Sequence, residues 1–127
     1  MREIKFRAWD KVRKEMRFEQ VGEIGRIDLF FRRLHGVEID IMQYTGLKDK
    51  NGKEIYEGDI LDGGYLNPLT GQKVKHYYLV EFERGIFYAK LIGKSPYGDT
   101  FLYFQNKRSA IIGNVHENKE LLEVEKC

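Results

Sequence analysis

Met42-Gln43-Tyr44-Thr45-Gly46-Leu47-Lys48-Asp49-Lys50-Asn51-Gly52-Lys53-Glu54-Ile55-Tyr56-Glu57-Gly58-Asp59-Ile60 is the stretch on which the fold turns. Its start closes an alternation of Val37, Ile39, Ile41 and Gln43 with Glu38, Asp40, Met42 and Tyr44. That period of two predicts a strand with one apolar face, ending at Thr45-Gly46. Asn51-Gly52 is the strongest short turn signal, because both residues tolerate positive φ, and a tight turn is expected there. Glu57-Gly58-Asp59 then bends the chain into a further strand at Ile60-Leu61.

Working outward towards the N-terminus, Ile4, Phe6 and Ala8 alternate with Lys5, Arg7 and Trp9, so a strand is expected over about residues 3 to 9. Asp10 to Lys14 reads as a charged turn, with Met16 and Phe18 on a returning strand. Between Gly22 and Gly36 the apolar residues fit neither period. Towards the C-terminus, Asp62 to Gln72 is glycine-rich and polar and is expected to be an exposed loop. Val74 to Phe82 and Ile86 to Leu91, separated by Glu83-Arg84-Gly85, predict a hairpin with a bulged turn. Gly93 to Thr100 reads as a loop, Phe101 to Gln105 as a strand, Asn106 to Arg108 as a turn and Ala110 to Val115 as a strand. Asn118 is placed to cap a short final helical segment whose Leu121, Leu122 and Val124 pack back on the domain. Short strands with regularly spaced turns suggest a small barrel.

The length of 127 residues suits one domain with a single core. Hydrophobic residues at 42% give enough apolar surface to offset the entropy of ordering, and sixteen Tyr and Phe (8 of each) favour β structure. Lys and Arg number 22 against 20 Asp and Glu, mixed along the chain, so no basic arm of the kind that tracks phosphates is present as a segment. The single cysteine, Cys127, excludes an intramolecular disulfide and fits a reduced cytoplasm. Neither a secretory apolar stretch nor an apolar run of membrane-spanning length occurs, so no membrane partner is expected.

The opening Met1 to Asp10 and the central Met42 to Ile60 resemble the characteristic blocks of the YopX family. Val80-Glu81-Phe82, Gly85-Ile86-Phe87, Ile111 to Asn118 and Leu121-Leu122 are similar to its later blocks. The resemblance implies a mostly β fold of one domain: an N-terminal β-containing section over 1–47 and a small Src-homology-type β-barrel over 48–127. It further implies a phage or prophage origin. It brings no catalytic residues with it.

Candidate chemistry is sparse. Glu54, Glu57 and Asp59 concentrate carboxylate near one bend, which raises the reading of a small carboxylate-dependent enzyme. Asp49, Asn51 and Gly52 lack the spacing of a calcium loop. His35, His76 and His116 stand far apart without a ligand-pair spacing, so no metal is expected, nor any cofactor, since neither a dinucleotide fingerprint nor a Walker loop is present. His116-Glu117 reads as a polar pair at a strand end.

The main functional expectation is recognition by aromatics. Alternation sends part of the set Tyr77, Tyr78, Phe82, Phe87, Tyr88, Phe101, Tyr103 and Phe104 outward. Tyr78, Tyr88 and Tyr103 with Lys107 and Arg108 are the candidate binding residues. Trp9 and Arg7, on the wet face of strand one, are the candidate oligomer contact. The expected function is a non-enzymatic, homo-oligomeric interaction module meeting a phage or host protein; nucleic-acid binding in phage DNA or RNA metabolism is the alternative.

Overall fold

The computed structural model describes residues 4–18, 38–93 and 98–123. The segment 22–36, which the sequence leaves open, and Val124 lie outside them. The protein is mostly β, with a curled half-barrel sheet.

β1 (Phe6–Asp10) and β2 (Glu15–Phe18) form the expected N-terminal hairpin. β3 (Ile39–Lys48) pairs antiparallel with β1, and β4 (Glu54–Tyr56) pairs back on β3, giving the order β2-β1-β3-β4. The second sheet holds β5 (Asp59–Asp62), β8 (Tyr77–Glu83), β9 (Ile86–Leu91), β10 (Thr100–Phe101) and β11 (Ala110–Asn114). Its order is β10-β9-β8-β5-β11, so the last strand returns beside the first. The expected loop over 62–72 instead carries a small hairpin of β6 (Tyr65–Leu66) and β7 (Lys73–Val74).

The core lies between the second sheet and the helical crossing before β11. Ile55, Leu61, Tyr78, Val80, Ala89, Leu91 and Leu102 are its buried members.

Five local readings are corrected. β3 runs on through Gly46 to Lys48, and its buried residues are Met42 and Tyr44, while Ile41 is exposed. Both faces of β3 therefore carry contacts: Met42 and Tyr44 are buried on one, and Ile39 packs with Phe6 against the buried Ala8 on the other. Lys48 pairs with Glu54, so Asn51-Gly52 sits in a longer loop than a two-residue turn, and Gly52 is the residue with positive φ. Conversely, the β8–β9 connection is tighter than expected: Glu83 pairs with Ile86, and Arg84 (φ 53°) and Gly85 (φ 80°) both adopt positive φ. That is the geometry whose twist matches a hairpin.

Finally, Phe101 to Gln105 is no strand. It begins as β10 and turns into α1 (Leu102–Gln105), followed by a 3-10 turn at Asn106–Arg108. Leu102, Asn106 and Ser109 are all buried. Their spacing of four and three is helical, and packing on this face overrides the aromatic bias towards strand. The 3-10 helix Lys119–Leu122 does begin after Asn118, but the Asn118 side chain accepts from Asn114 N–H and does not cap it.

Candidate functional site

Asp49 ties the central stretch to the C-terminal strand. Its Oδ1 accepts from the N–H groups of Asn51 and Lys53 at 2.9 Å each, and its Oδ2 from that of Ile111 at 2.9 Å. Burial pushes its carboxyl up, but these three donors together hold it below the ordinary carboxylate value. Asn106 Nδ2 donates to Lys48 O at 2.7 Å and Lys50 N–H to Ser109 O at 2.9 Å, so the loop is clamped from both ends.

Arg7 and Asp59 form a second tie, between the two sheets. Arg7 Nη2 lies 2.9 Å from Asp59 Oδ1 and donates to Glu57 O at 3.0 Å, and the guanidinium sits 4.9 Å from the Tyr56 ring centre. Arg7 is only 5% exposed, which corrects its expected place on a wet oligomer face. Burial pushes the Asp59 carboxyl up, with Arg7 and the Tyr56 N–H opposing it. Glu57 accepts from Gln43 N–H at 2.9 Å and returns its own N–H to Gln43 O. Glu57 and Asp59 are therefore held in structural bonds, and among the described residues no histidine lines the cleft of about 430 Å³ that Asp59 borders.

Trp9 is half-buried and stacked on His116, with ring centres 5.3 Å apart and planes 9° from parallel. His76 instead packs edge-on to Tyr65 and Tyr78. Among the described residues no group of His, Cys, Asp and Glu is arranged to hold a metal ion. His35 lies outside them.

Of the candidate binding residues, Tyr78 is buried in the core, and its burial raises its hydroxyl pKa above the ordinary value. Tyr88 is half-buried against Phe101 on the other face of the sheet, with ring centres 5.4 Å apart. Tyr103 is 73% exposed, and Lys107 and Arg108 are exposed on the turn that follows α1. The candidates do not converge on one surface.

A different grouping does converge. Leu47, Gly85, Ile86, Phe87, Phe101, Leu102, Tyr103 and Phe104 line a groove of about 340 Å³. Phe104 is 62% exposed, and Phe82, Ile86 and Phe101 are also exposed. Phe101 to Phe104 and Phe104 to Tyr103 are ring contacts at 5.8 and 5.9 Å, so the rings form one continuous surface. Sequence reasoning missed Leu47 and Ile86, and it missed Phe104 as a partner of Tyr103. Reading 101–105 as a strand puts Tyr103 and Phe104 on opposite faces, whereas the helix turns both outward.

The site is thus an exposed aromatic groove on a small, mostly β scaffold tied together by two buried carboxylates. The chain belongs to the YopX family: the family profile described as YopX protein matches residues 5–123. A crystal structure of protein EF1440 from Enterococcus faecalis is similar to it, with a TM-score of 0.59 and 28% sequence identity, covering 97% of this chain and 100% of that one. No curated protein matches. No helix among the described residues is long and apolar enough to cross a membrane.

Proposed function

We propose that this protein is a non-enzymatic interaction module that associates with a second copy of itself through the aromatic groove at β9, β10 and α1. The observation that carries this reading is the continuous exposed surface of Ile86, Phe101, Tyr103 and Phe104, joined by Phe82 across the Phe82–Phe87 contact at 4.8 Å. Contiguous apolar surface of this kind is costly to leave in water and marks docking sites. Among the described residues the neighbouring β10 is the edge strand of its sheet, and such an edge offers a ladder to an identical edge across a two-fold axis.

On the same reading the curled sheet is a barrel of the Src-homology type. Five antiparallel strands, the last returning beside the first and preceded by a 3-10 turn, support that assignment. The working place is taken to be the cytoplasm of a bacterial host, and the origin a phage or prophage. Family membership and the lone Cys127 support this.

Hydrogen exchange at two protein concentrations tests the groove. Amides of 100–104 should exchange more slowly in the concentrated sample, while those of the exposed β6–β7 hairpin stay unchanged. Equal rates at both concentrations would count against self-association there.

A further inference from the structure

A second cleft, of about 410 Å³, lies away from the aromatic groove and is lined by Trp9, Lys11, Lys14, Asp40, His116 and Lys119. The turn of the first β-hairpin brings Lys11 and Lys14 to it and the 3-10 helix after β11 brings Lys119, so a positive rim forms that no segment of the sequence contains. Lys11 Nζ is 3.2 Å from Asp40 Oδ1. Among the described residues Lys14 and Lys119 have no carboxylate partner, and both are exposed. The wall is the parallel stack of the Trp9 indole and the His116 imidazole.

We propose that this cleft binds a nucleotide, free or within a single strand, whose base extends the Trp9–His116 stack and whose phosphate meets Lys14 and Lys119. Three features argue for a nucleotide over a bare anion. An aromatic stack at the wall offers a π-face to a planar ring, and base stacking on such a face is sequence-tolerant. Lysine ammonium groups bind phosphate as point charges, and Lys14 and Lys119 have no carboxylate partner among the described residues. Asp40, partly exposed on the cleft wall with Oδ1 3.2 Å from Lys11 Nζ and Oδ2 3.8 Å from His116 Nε2, supplies an acceptor for a ribose hydroxyl or an exocyclic amine. The volume also falls within the range of small-molecule sites, roughly 300 to 1,000 Å³.

Trp9 is the sole tryptophan, so its emission reports on this cleft alone. The full chain at low salt is titrated in parallel with adenosine monophosphate, an oligothymidylate and inorganic phosphate. The expected result is a saturable change in Trp9 emission with a nucleotide, weakened at least about tenfold in Lys14→Gln/Lys119→Gln while the melting curve stays in place. Much tighter binding of the oligonucleotide assigns the site to a single strand, and comparable binding of the monophosphate assigns it to a free nucleotide. No saturable change with either, an unweakened double variant, or inorganic phosphate binding as tightly as the nucleotides would each overturn the proposal.

Discussion

Asp49 and the Arg7–Asp59 pair show what the central stretch does at the scale of single residues. Because backbone donors hold the Asp49 carboxyl below the ordinary value of 3.8, its ionised form stabilises the folded state. That contribution is complete above 3.8 and is lost as pH falls below it towards the folded-state pKa. Asp49→Asn removes the charge but keeps one acceptor, so its deficit against the parent in urea denaturation should be largest near neutral pH and shrink below 3.8. A deficit independent of pH would contradict the assigned role. Arg7→Met leaves Asp59 charged and buried without its cation, a loss of about 3 to 5 kcal/mol. Pairing it with Asp59→Asn, which still accepts from Tyr56 N–H, should recover part of that loss. Chemical unfolding of the single and double variants checks both.

Turns carry the argument at the scale of elements. Gly58 (φ 84°) and Gly85 (φ 80°) share a left-handed backbone, but their surroundings differ. A Cβ on Gly85 meets nothing within 4 Å, whereas one on Gly58 meets Val115 Cγ1 at 3.1 Å and Met42 Sδ at 3.3 Å. Gly85→Ala should therefore cost only the backbone term, about 1 kcal/mol, and Gly58→Ala more, about 2 kcal/mol or above, as read by thermal melting. Equal costs would mean that the bend at Gly58 is not packed as described. Most strands were legible because the period of two survives at β1, β3, β8 and β9. Two things were not. At β1 the polar Arg7 side chain faces the second sheet, where it finds Asp59, and a hydrophobic pattern has no sign for a buried ion pair. At α1 and the 3-10 turn after it the inward face is Leu102, Asn106 and Ser109, two of them polar, so a helical period written in buried polar residues was hidden beneath the strand propensity of Phe101, Tyr103 and Phe104. The groove was missed for that same reason.

For the whole molecule, the residues that hold the fold and those of the proposed association surface separate in space. The buried ties gather at Asp49 and Asp59, while the groove presents side chains that the folded chain leaves in water. Tyr103→Ser and Phe104→Ser should hence change the folding stability of the isolated chain by no more than about 0.5 kcal/mol. The most direct measurement is the mass of the full chain by light scattering at micromolar concentration, beside a Phe101→Ser/Tyr103→Ser/Phe104→Ser variant. The account predicts a multiple of 15.0 kDa for the parent and 15.0 kDa for the variant. A monomeric parent, or a variant that keeps the parent's mass, would contradict it.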